Sequence, residues 1–162
     1  MRNFIGRQRY LDRLHMLWKR KQSGLIALYG RRRVGKTELI RVFSKDKVVW
    51  YFEAIEGADT ATQVKHVLRQ LSHILKEPYL ADLNYDDWPL VFDLLTQRMK
   101  REKKLVLVFD ELPWMASGRT QLVSYLKYYW DKEWKRHPHL LCILCGSVAA
   151  WMVRNVVRSN AL

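Results

Sequence analysis

Residues 29–39 read YGRRRVGKTEL, and Gly30 to Thr37 within them fit the pattern G-x-x-x-x-G-K-[ST]. The apolar run LIALY, Leu25 to Tyr29, precedes this loop and predicts a buried strand. A helix is predicted to follow, from Lys36 to about Ser44, with its apolar residues on one side. A glycine-rich loop between a strand and a helix directs backbone N–H groups and the positive helix end at an anion, so the stretch predicts a nucleotide-phosphate site.

The composition is that of a folded, strongly basic protein. The 162 residues are 49% hydrophobic and 12% aromatic, with a formal net charge of +13. This length is enough for one core and too short for two ordinary domains, so we expect one domain over residues 1–162. The positive surface favours polyanions such as nucleotides, nucleic acid or anionic lipid. The charged N-terminus, MRNFIGRQRY, and the lack of a long apolar span favour a cytoplasmic protein without a membrane partner.

The two cysteines stand in the segment HPHLLCILC, which superficially resembles a zinc tetrad. Leu140 to Cys145 is predicted to be a buried strand, on which Cys142 and Cys145 point to opposite faces. We therefore favour two core cysteines over a metal site or a disulfide.

Strands and helices alternate along the rest of the chain. Further strands are predicted at 48–54, 105–111 and 140–146, and further helices at 7–21, 60–76, 86–100 and 120–136. This alternation predicts an α/β fold with a parallel sheet and helices on both faces.

The loop after the first strand supplies the predicted phosphate contacts. Lys36 is expected to reach the β- and γ-phosphates and to act in catalysis, and the Thr37 hydroxyl is expected to bind Mg²⁺. The arginines in the variable positions either add charge near phosphate or point to solvent or an acidic partner. The predicted nucleotide-binding residues of this loop are Gly30, Arg31, Arg32, Arg33, Val34, Gly35, Lys36 and Thr37.

Two carboxylates follow the apolar run of the third strand, LVLVFDE. Asp110 is expected to hold Mg²⁺, and Glu111 is expected to be the catalytic base that polarises the attacking water. An acidic pair in this place is by itself more often a helix cap or part of a solvated loop, and the upstream phosphate loop favours the functional interpretation.

A third polar position follows the fourth strand, in LCGS. Ser147 is expected either to sense the γ-phosphate or orient water, or to cap the next turn. Both readings stay open from the sequence.

These segments, with FIGRQRYLDRL at residues 4–14 and YYWDKEW at 128–134, resemble the archaeal-type ATPase group of the STAND class within the AAA-like P-loop proteins. The resemblance covers nearly the whole chain, and it implies the three-layer α/β sandwich of a P-loop NTPase. It implies that the LCGS strand lies between the phosphate-loop strand and the Asp110 strand, so that Ser147 faces the γ-phosphate. It also implies contacts near the adenine from Phe4, Ile5, Gly6 and Arg7.

The chain departs from the resembled family in two places. Gln8 and Arg9 stand where relatives commonly carry an acidic residue, which affects the adenine side of the site. After RSNAL, relatives continue into a further arginine, a fifth strand and a helical lid, often followed by an effector domain. We therefore expect a core that lacks the fifth strand and lid, hydrolyses ATP slowly and self-associates through its open sheet edge.

Two functions follow as hypotheses. The first is an Mg²⁺-dependent ATPase, with ATP and Mg²⁺ as ligands, whose nucleotide state switches conformation or assembly. The second is a nucleic-acid-binding module with a secondary nucleotide site, motivated by basic clusters at 19–21, 100–104 and 132–136. The combination of GKT with the DE pair favours the first.

Overall fold

The computed structural model describes residues 7–31, 35–118 and 121–157. Its four strands are β1 (Gly24–Tyr29), β2 (Val49–Glu53), β3 (Leu105–Asp110) and β4 (Leu140–Gly146). The helices are α1 (Gln8–Lys19), α2 (Lys36–Ser44), α3 (Thr60–Leu75), α4 (Trp88–Met99), α5 (Leu112–Met115), α6 (Leu122–Lys132) and α7 (Ala149–Met152). Short 3₁₀ turns cover Pro78–Asp82 and Trp134–Arg136, and a π turn covers Val153–Val157.

The sheet is parallel, with strand order β1-β4-β3-β2. This order confirms that β4 lies between β1 and β3, as the resemblance implied. Because parallel strands need crossover connections, the helices cover both faces and make three layers. The predicted α/β sandwich with a parallel sheet is confirmed.

The two faces of the sheet bury separate apolar clusters. Leu11, Leu39 and Phe43 of α1 and α2 pack on the face that carries Val106 and Ile143. Residues of α3, α4 and α6 pack on the other face. Members of that second cluster include Val64, Leu68, Phe92, Leu95, Leu126, Phe109 and Leu144. The central strands β3 and β4 are buried on both faces, which explains their continuous apolar sequences.

The cysteines obey the strand alternation. Cys142 packs in the cluster with α3, α4 and α6, and Cys145 packs on the face of α1 and α2. Both are free and buried, and burial raises the pKa of the Cys142 thiol.

The helix predicted over 120–136 is wrong at its C-terminal end. Helix α6 ends at Lys132, and Glu133 leaves the helical conformation before the short turn Trp134–Arg136. This change of direction buries Trp134 beside Phe109, with its indole N–H donating to the Thr96 hydroxyl at 2.8 Å. Burial of a large aromatic side chain with its polar atom satisfied outweighs continuation of the helix.

The N-terminus of α3 is capped by a residue just before it. The Asp59 carboxylate accepts from the Thr62 backbone N–H at 2.9 Å.

No helix among the described residues is long and apolar enough to cross a membrane.

Candidate functional site

The phosphate loop joins α2 at Gly35, whose backbone adopts the left-handed conformation. Gly35 has φ of 85° and is the N-cap of α2, and its carbonyl accepts from the Leu39 N–H at 2.9 Å. A side chain at this φ is strained, which accounts for the second glycine of the motif. Arg32, Arg33 and Val34 lie outside the described residues.

Lys36 is a buried cation at the first position of α2. It is 7% exposed, and its Nζ donates to the carbonyl oxygens of Gly30 at 2.8 Å and Arg31 at 2.7 Å. An ammonium has three donors, so one remains after these two bonds to described residues. The lysine is therefore held across the loop with its charge available to an anion at the helix N-terminus. The Arg31 side chain is exposed, and its carbonyl accepts one of these two bonds.

Arg7 also reaches this loop. A Cβ built on Gly35 would lie 3.4 Å from Arg7 Nε, so the guanidinium stem covers the glycine. The structure thus places Arg7 beside the start of α2. Phe4, Ile5 and Gly6, predicted near the adenine, lie outside the described residues.

Asp110 lies at the end of β3, and its carboxylate accepts two hydrogen bonds. It is 4% exposed, and its Oδ1 accepts from the Glu111 backbone N–H at 2.8 Å. Its Oδ2 accepts a hydrogen bond from the hydroxyl of Tyr51, which comes from the neighbouring strand β2. The carboxylate is therefore fixed in orientation from two sides.

Tyr51 links the two residues predicted to bind Mg²⁺. The pKa of Tyr51 is raised, first by burial and then by the hydrogen bond to Asp110 and the charge of that carboxylate. The nearby Thr37 side chain opposes this rise. Thr37 and Asp110 thus both act on the pKa of one hydroxyl, although they are 73 residues apart in sequence. Sequence reasoning missed Tyr51, because a tyrosine within VVWYFEA is typical of any half-buried strand.

Cys145 is a further neighbour of Asp110. Burial raises the pKa of the Cys145 thiol, and the charge of Asp110 and a hydrogen bond to it raise it further. The thiol therefore stays protonated beside the carboxylate. The sequence contains no signal for this contact.

Glu111 stands immediately beyond β3 in a left-handed conformation, with φ of 56°. A non-glycine residue in this region carries strain of about 1–3 kcal/mol, which occurs most often at functional sites. The strain is offset locally, because the Glu111 carbonyl accepts from the Trp114 N–H at 2.9 Å at the start of α5. The conformation turns the glutamate away from the strand direction.

Ser147 contacts Glu111. Its Oγ lies 3.0 Å and 2.9 Å from the two carboxylate oxygens, in a bifurcated hydrogen bond. Ser147 caps no helix: the N-cap of α7 is Val148, and no side chain caps it. The capping interpretation is therefore wrong. The structure places the hydroxyl beside the predicted catalytic base.

Gly146 allows this end of β4 to approach the elements around it. A Cβ at Gly146 would lie 2.8 Å from Pro113 Cδ and 2.8 Å from Met152 Sδ, which is closer than real contacts. Its carbonyl also accepts from the Gly30 N–H at 3.4 Å, which joins β4 to the start of the phosphate loop. Apart from its place at the strand end, nothing in the local pattern singles out this glycine.

The arrangement as a whole places the residues of the predicted phosphate site at the carboxyl ends of adjacent parallel strands. The lysine and threonine come from the start of α2, the aspartate and glutamate from the end of β3, and the serine from the end of β4. Fold and site together define the class of P-loop nucleoside triphosphatases.

The chain belongs to the family of ATPase domains found predominantly in Archaea, whose model matches residues 4–162. It is 27% identical over 146 residues to an uncharacterized protein of Methanocaldococcus jannaschii, covering 90% of this chain and 30% of that protein. It is 46% identical over 46 residues to an uncharacterized ATP-binding protein of the same organism, covering 28% of this chain and 78% of that protein.

The fold is shared with the Walker-type ATPase of Pyrococcus abyssi, at a TM-score of 0.70 and 21% identity. That match covers 96% of this chain and 49% of the solved one. The chain thus spans less than half the length of the longer relatives that it matches along most of its own length.

Proposed function

We propose that the chain binds Mg·ATP and hydrolyses it to ADP and phosphate, and that the nucleotide state switches the conformation or assembly of the protein. One observation carries this proposal: the carboxyl ends of the parallel strands bring together five predicted site residues. They are Lys36, Thr37, Asp110, Glu111 and Ser147. Membership of the STAND class belongs to the same proposal.

Binding rests on the start of α2. The N–H groups of its first turn and the Lys36 ammonium provide fixed positive charge for the β- and γ-phosphates. The Gly30 and Arg31 carbonyls hold the Lys36 ammonium in place within the loop, so its position is fixed before phosphate binds.

The oxygen ligands fit a hard divalent cation. The Asp110 carboxylate and the Thr37 hydroxyl are the ligand types that Mg²⁺ prefers, and the hydrogen bond to Tyr51 orients the carboxylate. Mg²⁺, when bound, supplies charge that neutralises the transferred phosphoryl group.

Hydrolysis rests on Glu111. Its carboxylate accepts a proton from the attacking water or polarises it, and the Ser147 hydroxyl holds the carboxylate by hydrogen bonding to both oxygens. The same hydrogen bond ties the base to β4, which makes the Glu111–Ser147 pair a candidate link between nucleotide state and conformation.

A Glu111→Gln variant separates binding from chemistry. The amide keeps the shape of the carboxylate and polarises water poorly, so ATP affinity stays the same while turnover falls by at least about 100-fold. The measurements are ATP affinity and phosphate release, with Glu56→Gln, a change of an exposed glutamate, as the matched control. Equal turnover in Glu111→Gln and the unmodified protein rejects the base assignment.

A further inference from the structure

The four strands begin in register, and their N-terminal ends lie at the end of the sheet opposite the candidate nucleotide site. Leu105 is level with Leu140, Leu141 with Gly24, and Val106 with Val49. Because the strands are parallel, the four segments that lead into them lie side by side along this edge. Their spatial order is 19–23, 135–139, 100–104 and 45–48, following the strand order.

These four segments are strongly basic. They read KRKQS, KRHPH, KREKK and KDKV, with eleven Lys and Arg against two acidic residues. Nineteen residues therefore carry nine of the thirteen net positive charges of the chain. We call this surface the basic edge.

Most of its cations are exposed and stand outside the ion pairs formed by the residues that the structure describes. Lys47 is an exception, because its Nζ donates to the Phe43 carbonyl and pairs with Asp46, and Arg101 lies 3.5 Å from Glu77. The remaining nine are exposed and form no ion pair with any residue that the structure describes. They are Lys19, Arg20, Lys21, Lys45, Lys100, Lys103, Lys104, Lys135 and Arg136.

The helix macrodipole explains only some of these charges. A cation in the last turn of a helix is stabilising, as Lys19 is in α1. Lys103 and Lys104 follow the end of α4 by four residues or more, where the effect has fallen off. The charge of the basic edge therefore exceeds what helix stability requires.

Hydrogen bonds fix three of the segments relative to one another. The Ser23 hydroxyl donates to the His137 carbonyl at 2.6 Å, and His137 Nε2 bonds the Glu102 carbonyl at 2.8 Å. His139 Nε2 bonds the Trp18 carbonyl at 2.8 Å, just before the first basic segment. The cations thus stand on a preorganised frame, which lowers the entropic cost of binding an extended anion.

A cavity of about 340 Å³ lies within this frame. Lys100, Lys103 and Arg136 line it together with His137, and Glu102 and Glu133 stand at its walls. Its cations come from two neighbouring segments of the basic edge, 100–104 and 135–139.

We propose that the basic edge binds the phosphate backbone of duplex DNA without reading its sequence. Three spacings between neighbouring strands set the segments across about 14 Å, which is close to the ~12 Å width of the major groove between phosphate chains. Arginine occurs in three of the four segments and suits bidentate phosphate contacts. Val48 is the one exposed large hydrophobic residue in these segments, so they lack the apolar anchors of a membrane-binding surface.

The proposal is independent of the nucleotide site. DNA bound at the strand N-termini and ATP bound at the strand C-termini occupy opposite ends of the sheet, so neither blocks the other. Loss of one activity by mutation leaves the other to be measured.

The test compares two double variants of equal charge change in the full chain. Lys104→Ala with Arg136→Ala changes the basic edge, and Lys65→Ala with Arg69→Ala changes an exposed face of α3. Fluorescence anisotropy with a labelled 30-base-pair duplex, from about 50 to 200 mM salt, gives the affinity and its salt slope. Circular dichroism melting shows that each variant folds.

The basic-edge variant is expected to bind DNA at least about 10-fold more weakly, with a log–log salt slope smaller by about 1.8 for two lost phosphate contacts. The α3 variant is expected to stay within about 2-fold of the unmodified protein in affinity. Equal losses in both variants overturn the proposal in favour of general charge attraction. It is also overturned if no binding occurs at the lowest salt, or if the variant loses binding to phosphatidylserine vesicles and keeps binding to DNA.

Discussion

Ser147 and Glu111 are joined by a bifurcated hydrogen bond at the carboxyl ends of β4 and β3, with oxygen distances of 3.0 Å and 2.9 Å. Since β4 lies between β1 and β3, this contact ties the predicted catalytic base to the strand beside the phosphate loop. The resemblance implied a serine that faces the γ-phosphate, and the structure adds a direct partner for it.

The first prediction concerns this pair. Ser147→Ala removes the donor that holds Glu111, so we expect turnover to fall by about 10-fold while ATP affinity changes little. Single-turnover phosphate release measures the effect. Ser117→Ala, which loses a hydroxyl bonded to the Trp114 carbonyl outside the site, is the control and should keep full turnover. Full turnover in Ser147→Ala would exclude a positioning role.

The second prediction concerns Tyr51. Tyr51→Phe removes the hydrogen bond that orients the Asp110 carboxylate, and we expect the Mg²⁺ concentration needed for half-maximal ATP binding to rise by about 10-fold. ATP titrations at graded Mg²⁺ concentrations measure it. Tyr128→Phe alters an exposed phenol and should leave the Mg²⁺ requirement unchanged. An unchanged requirement in Tyr51→Phe would show that Asp110 is oriented without it.

The third prediction concerns pH. Burial lowers the pKa of His139 below its ordinary value of 6.5, against the hydrogen bond to the Trp18 carbonyl. The unfolded chain therefore binds this proton more readily than the folded one, so stability is lost as the pH falls below about 6.5. We expect the melting temperature to fall between pH 7.5 and 5.5, and to fall less in His139→Gln.

His73→Gln is the matched control for this pH effect, because His73 is an exposed histidine on α3. Its melting temperature should depend on pH as that of the unmodified protein does. If His139→Gln shows the full pH dependence, the loss of stability comes from other groups.

The fourth prediction concerns the open edge of the sheet. No described strand pairs with the outer side of β1, and a groove of about 570 Å³ runs along it. Its lining includes Tyr10, Leu14, Leu17, Ile26 and Leu28. An apolar edge of this kind invites pairing with another chain, so we expect concentration-dependent self-association.

Light scattering over a range of protein concentrations measures that association. Tyr10→Asp puts a charge into the groove and should shift the equilibrium toward monomer, whereas Tyr128→Asp, on the exposed side of α6, should not. A protein that stays monomeric at every concentration would remove β1 as an interface.

The pattern of apolar residues in the sequence predicted most of the fold. The runs LIALY, LVLVF and LLCILCG are apolar throughout because their strands are buried or half-buried. The helix at 36–44 is found with the bounds predicted. The predicted helix over 120–136 extends too far at its C-terminal end, because the burial of Trp134 in the core overrides local helical periodicity.

The candidate site was predicted only where its chemistry has a local pattern. Lys36, Thr37, Asp110 and Glu111 belong to such patterns, and the structure brings them together with Ser147. Tyr51 and Cys145 touch Asp110 only through the pairing and packing of β2, β3 and β4, which no local pattern contains. The basic edge likewise cannot be predicted from any local pattern, because its four segments are brought side by side by the strand register.

The central claim is that Mg·ATP binds at the start of α2 through Lys36. Calorimetric titration of Mg·ATP into the protein should give saturable binding at one site. Lys36→Ala should weaken it by about 10- to 100-fold, the loss expected for about 1.5–3 kcal/mol of charged hydrogen bonding. Lys45→Ala, an exposed lysine at the other end of α2, should bind as the unmodified protein does. Equal affinity in Lys36→Ala and the unmodified protein, or no binding to the folded unmodified protein, would contradict the account.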